Sequence, residues 1–183
     1  MLSWHKVGQM AVVAALALSM AGTANAATQG SLGATSTGSV SISASIANRV
    51  RISGLSDVAF TNADPSVDAS NAQNVCVWSN TSTKGYRVTA SGSGTAGAFT
   101  LANASLSVPY AVEWSASSGQ STGSALTNGV AFTGLTSTAT NANCASGPSS
   151  SASLIVKILS SDLQTMQAST SYSGTLTLLV APE

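Results

Sequence analysis

The chain has 183 residues, only 7% of them charged and 5% aromatic; six basic and six acidic side chains leave a formal net charge of zero. That composition excludes a basic surface for nucleic acid or anionic lipid. It also lacks the high net charge of a disordered chain.

The first segment reads as a targeting device. Met1 to Lys6 is short and weakly basic, Val7 to Ala21 is mostly apolar, and Ala24-Asn25-Ala26 supplies a small-x-small cleavage site. Residues 1–26 are therefore expected to be a secretory signal peptide, with an apolar run too short for a membrane span. His5 is the one histidine, so cleavage after Ala26 leaves a chain with none, near neutral and slightly acidic. The remaining length suits one domain with a single core.

Residues 27–38 are rich in Gly, Ser, Thr and Ala without periodicity and read as a flexible leader. Then Val40, Ile42, Ala44 and Ile46 alternate with Ser39, Ser41, Ser43 and Ser45, the period of a half-buried strand. Alternation resumes with Val50 and Ile52 against Arg49 and Arg51, and Gly54 ends it. Short β-type runs follow, separated by turn-rich stretches: 57–61 (DVAFT), 74–79, 86–91, 98–102, 109–114, 130–133 (VAFT, preceded by Gly129) and 151–159. DVAFT and GVAFT read as two similar core strands. The glycine-rich SGSGTAG reads as a hairpin, and Ser160 to Leu163 as one helical turn. In the last run Tyr172, Gly174, Leu176, Leu178 and Val180 share one face, with Leu179 the apolar exception opposite. Such a face must be covered by a neighbour. The fold class predicted is all-β, a sandwich of short strands.

The chemistry-bearing residues are few. Cys76 and Cys144 are the only cysteines; export offers them oxidation, and no CxxC partner or retained histidine activates them, so a structural disulfide is expected. No GxSxG elbow occurs, and Asp57, Asp64, Asp68, Glu113 and Asp162 offer no pair assignable as a glycosidase couple. Asp64 and Asp68 near Asn62 and Asn71 fit no EF-hand loop. We therefore expect no catalytic residue, no metal site and no cofactor. Trp78, Tyr110 and Trp114 read as core or rim aromatics in preference to a sugar-stacking platform. Asn80-Thr81-Ser82 and Asn103-Ala104-Ser105 match glycosylation sequons, as chance allows in so Asn- and Ser-rich a chain.

Residues 156–183, VKILSSDLQTMQASTSYSGTLTLLVAPE, resemble the C-terminal end of a chaperone–usher pilus subunit, in which a short turn precedes a Tyr-Ser-x-Thr-Leu last strand. Residues 74–99 (NVCVWSNTSTKGYRVTASGSGTAGAF) and 107–114 (SVPYAVEW) are similar to the archaic and alternative branches, which include spore-coat-U-like subunits. Those subunits usually carry a further cysteine early in the first core strand, where Ile52 to Phe60 has none. The resemblance implies an immunoglobulin-like sandwich lacking one strand. Residues 47–183 would be that domain and residues 27–46 a donor strand, with Val40, Ile42, Ala44 and Ile46 entering the next subunit's groove and Tyr172, Leu176, Leu178 and Val180 forming the groove edge. It also implies a head-to-tail polymer of this chain, a periplasmic chaperone and an outer-membrane usher as partners, a fimbrial location on the cell surface, and a part in adhesion or biofilm formation. The competing reading is a monomeric secreted sandwich that binds carbohydrate or matrix, in which residues 40–46 are simply its own first strand.

Overall fold

The structure, a computed structural model, describes residues 26–183. The signal-peptide reading rests on residues 1–25, which lie outside that range. The chain divides into two units between Ser45 and Ile46.

In the first unit, a bridge between Thr28 and Ser39 is the only pairing among the described residues. The second unit begins with β1 (Val50–Ser53), β2 (Ala69–Ser79) and β3 (Gly85–Gly92). A hairpin follows, β4 (Thr100–Asn103) with β5 (Leu106–Pro109), and then β6 (Ala111–Ser115), β7 (Ser124–Ala125) and β8 (Ala131–Thr136). The chain continues through β9 (Ala152–Ile158), the single turn α1 (Ser160–Leu163) and β10 (Leu176–Pro182). Five strands form one sheet in the order β1-β2-β9-β6-β7, and three form another in the order β10-β3-β8. Every pairing is antiparallel.

The sheets pack face to face because alternation puts one apolar set from each inside. Val75, Val77, Val112, Trp114, Leu154 and Val156 from the larger sheet meet Tyr86, Val88, Ala90 and Leu135 from the smaller. Trp114 is 1% exposed, meets the Tyr86 ring edge-on at 6.5 Å between centroids, and donates its indole N–H to the Tyr86 hydroxyl at 3.2 Å. That bond supplies the partner a buried indole needs, so the aromatic pair joins the layers without an unsatisfied polar group. The fold is an all-β sandwich.

Outside this core, Cys76 and Cys144 are bonded to each other, and with Ala139 and Trp78 they form a second small cluster. The bond ties the outer face of β2 to the crossover from β8 to β9. It closes a loop with a sequence separation of 68, which on the chain-entropy account contributes about 4 kcal/mol. Replacing both cysteines by alanine is expected to lower the melting temperature by about 10 °C. Thermal melts of the two chains check this; a shift of only a degree or two would mean that other contacts already hold the crossover.

Several segments depart from the sequence expectation. Residues 40–49 carry no strand, and Val40, Ile42 and Ile46 are 70%, 89% and 84% exposed. DVAFT is not a strand either, whereas GVAFT supplies the start of β8. The difference is a partner: β8 lies beside β3, while among the described residues no strand lies beside 57–61. SGSGTAG is a crossover and not a hairpin, since β3 does not pair with β4. Its glycines let the backbone pass close by, and a Cβ on Gly92 or Gly94 would run into the Ala98 carbonyl. The expected strand over 109–114 is split at Tyr110, whose N–H bonds to the Phe99 carbonyl at 2.9 Å while β6 departs for the larger sheet. The last strand starts at Leu176, so Tyr172 and Gly174 precede it. The two-residue β7 was not expected.

Candidate functional site: an apolar cleft with unpaired rims

Where β10 edges the smaller sheet, the sandwich is open. A cleft of about 450 Å³ runs there, with Leu154, Val156 and Ile158 of β9, together with Leu101 and Tyr110, on its floor and sides. One rim is Gly174 to Leu178, and the other is the extended stretch from Leu55 to Phe60.

Each rim has a local reason. On β10, Leu176, Leu178 and Val180 are half-buried and alternate with exposed Thr175, Thr177 and Leu179, the pleat turning every second side chain inward. β10 pairs with β3 on one side, from Leu176 opposite Gly92 to Pro182 opposite Tyr86, and with no described strand on the other. Gly174 lies so close to the β4 backbone that a Cβ would sit 2.8 Å from the Thr100 carbonyl oxygen. On the opposite rim, Val58 and Phe60 are half-buried against the core while Asp57, Ala59 and Thr61 are exposed. This is strand-like alternation, yet among the described residues 54–59 make no backbone–backbone hydrogen bond. Ser56 is instead held by a side chain: its N–H donates to Gln73 Oε1 at 2.7 Å, and Gln73 Nε2 donates to its carbonyl at 3.0 Å.

Inside the cleft the polarity is low. The Tyr110 hydroxyl is buried without a hydrogen-bond partner, its ring packs on Phe99 at 5.7 Å, and burial pushes its pKa up. An unpaired buried hydroxyl costs about 1–3 kcal/mol. The cleft can therefore take an extended apolar row and offer backbone donors and acceptors on both sides, the two components of strand addition.

Other candidates lie elsewhere. Among the described residues no three His, Cys, Asp or Glu side chains gather as a metal site. Asp64 accepts from the N–H and hydroxyl of Ser66, which hold its carboxyl below the usual range, and Asp68 accepts from the Ser160 N–H at 2.7 Å. Glu113 is likewise lowered, chiefly by the Lys157 ammonium 2.7 Å away across neighbouring strands. Trp114 and Tyr110 are interior and Trp78 lies against the disulfide cluster, so these three make no exposed platform. Both sequon amides are engaged: Asn80 brackets the chain by accepting from Arg49 N–H and donating to the Ala47 carbonyl, and Asn103 donates to Ser171. Of the expected groove-edge residues, Leu176 and Leu178 line the cleft and Tyr172 and Val180 do not, while Gln73, Leu101 and the 55–60 rim are not among the expected residues. DVAFT is the signal for that rim, read from sequence as a core strand.

Among the described residues, no helix is long and apolar enough to cross a membrane. No protein-family model matches the chain, and no curated protein matches it. Among solved structures it is similar to a chain in one described as "Chaperone-tip adhesin complex is vital for synergistic activation of CFA/I fimbriae biogenesis", at 14% identity and a TM-score of 0.46. The match covers 74% of this chain and 41% of that one, so less than half of that protein's length is represented.

Proposed function

We propose that this chain is a structural subunit of an extracellular fimbria, built head-to-tail when the Val40–Ile46 segment of one copy enters the cleft of the next. The observation that carries the reading is the cleft itself, an apolar trough with an unpaired strand edge on one rim and an unladdered extended segment on the other. The complementary part is present in the same sequence. Val40, Ile42 and Ile46 are exposed. Val40–Ile46 and Leu176–Pro182 are each seven residues long, about 20 Å of strand. Burying three β-branched side chains and one alanine is worth about 5–8 kcal/mol gross. A contact of this kind does not close on itself, so it extends into a filament.

In this reading residues 1–26 direct export, residues 27–46 are the donor extension and residues 47–183 the acceptor domain. A periplasmic chaperone covers the cleft before assembly and an outer-membrane usher releases the fibre, which supports adhesion or biofilm formation. The pilin-like residues quoted above, 156–183, 74–99 and 107–114, support the same assignment. The monomer reading requires residues 40–46 to be a strand of their own sandwich, and no ladder partner for them exists among the described residues.

The test is uptake of a synthetic peptide spanning residues 38–48 by the full chain. At a hundredfold excess over the dissociation constant, binding to the folded state alone stabilises by about 2.7 kcal/mol, so the melting temperature should rise and the amides of residues 174–180 should gain protection from exchange. A peptide carrying Ile42→Asp should do neither. No rise at any peptide concentration would overturn the reading.

A further inference from the structure

The ladder between β1 and β2 stops with Ser53 opposite Cys76. Counted on in the same register, Ser56 would stand opposite Gln73. The chain instead turns away at Gly54, where φ is +79°, a conformation that glycine adopts without a Cβ clash. Yet Ser56 still meets Gln73. It donates to the Gln73 side-chain carbonyl and accepts from the Gln73 side-chain NH2, at 2.7 and 3.0 Å. Arg49 and Asn80 form a hydrogen-bonded pair, so by alternation Ser56 and Gln73 would be a non-hydrogen-bonded pair in that register. The side-chain amide instead takes both backbone groups of Ser56, which a ladder on β2 would turn away. The Gln73 side chain thus holds Ser56 in an orientation that the β1–β2 ladder does not use.

Two further observations give this contact a consequence. Beyond Val75, toward Ala69, β2 pairs with β9 on one side and with no described strand on the other, so a vacant edge lies next to residues 55–60. Those residues contain no proline, and the alternation through Asp57, Val58, Ala59, Phe60 and Thr61 suits a strand. Continuing β1 along β2 would satisfy alternate backbone groups of 55–61 and remove that rim from the cleft.

We infer that Gln73 is a spacer: its amide keeps residues 55–61 from zipping onto β2 and so holds them as the second rim of the cleft. Gln73 is a positioning residue that acts through Ser56. Its effect on strand entry rests on the uptake reading above; the spacing itself does not.

The experiment compares the full chain with its Gln73→Thr and Gln73→Glu variants by residue-resolved amide exchange and by the rate of uptake of the 38–48 peptide. In the wild type the amides of 57–61 should exchange rapidly. Gln73→Thr removes the spacer and leaves a good strand former, so alternate amides of 55–61 should gain at least tenfold protection, and uptake should slow at least tenfold. Gln73→Glu keeps an acceptor for the Ser56 N–H and loses the donor to its carbonyl, so it should fall between the two and serves as the second variant should Gln73→Thr fold poorly. A purely structural glutamine would change the melting temperature without moving protection specifically to 55–61. Unchanged exchange in these amides, or changed exchange with uptake at the wild-type rate, overturns the inference. A wild-type chain that takes up no peptide overturns strand uptake instead, and the exchange comparison still decides whether Gln73 is a spacer.

Discussion

A chain lacking residues 27–46 should fold, bind its chaperone and form no fibre. On the fimbrial reading those residues belong to a neighbouring molecule's fold, so deleting them removes nothing from the sandwich that starts at β1. The structure sets the expectation: Val40, Ile42 and Ile46 are exposed, and their removal leaves the Trp114–Tyr86 core and the Cys76–Cys144 bond untouched. On the monomer reading the same row is an internal strand. Its loss would forfeit about 5–8 kcal/mol of burial from a total stability of about 5–15 kcal/mol, and the product would be degraded. The complementary construction places residues 38–48 after Glu183 behind a flexible linker. Self-insertion then becomes intramolecular, at an effective concentration on the order of millimolar, and should give a stable monomer that never polymerises. The two readings separate on gel filtration and electron microscopy of both proteins. Normal fibres from the truncated chain would sink donor-strand exchange, and a truncated chain that fails to fold even with chaperone would favour the monomer.

The sequence was most legible where a strand finds its partner inside the chain. β2 and β9 carry contiguous apolar runs, Val75 to Trp78 and Leu154 to Val156, whereas the apolar positions of β3 and β6 alternate with a period of two and their inward set joins the core. Leu176, Leu178 and Val180 face inward and Leu179 outward for the same reason. Two segments with equally clean alternation, 40–46 and 57–61, are not strands. Periodicity reports which face of a strand is apolar; it does not report whether a neighbouring backbone is available to pair with. Both failures point to the same place, because 57–61 lies along the cleft and 40–46 is the row proposed to fill it. The break at Tyr110 was hidden because the residues on both sides favour strands, and only the competing sheets separate them. Gln73 was invisible for a different reason. Its role depends on a contact with Ser56 across the turn at Gly54 that no local pattern encodes.

The second large effect is expected at Leu178. This side chain lines the cleft, opposite Ala90 in the β3 ladder, and is half-buried, whereas its neighbour Leu179 points outward and is 64% exposed. On the proposed fimbrial reading, changing Leu178 to Asp places a carboxylate where a strand from the chaperone or from the next copy would be covered by apolar contact. Either the charge is buried without a partner or the group is protonated at a cost, and uncompensated burial of this kind is worth about 3–5 kcal/mol. At 1.4 kcal/mol for each factor of ten, affinity should fall by roughly two to three orders of magnitude, enough to abolish capture at cellular concentrations. Leu179→Asp is the matched control: same residue types, same strand, opposite face, and an expected stability change within about 0.5 kcal/mol. Because Leu178 also touches the core of its own molecule, circular dichroism of the free variant must accompany the binding measurement. A folded Leu178→Asp chain that takes up the 38–48 peptide as the wild type does, or reaches normal periplasmic levels bound to its chaperone, would place the receiving surface somewhere other than β10. A loss of uptake by a folded Leu178→Asp chain, with Leu179→Asp unaffected, is the result that face-specific insertion along this strand requires.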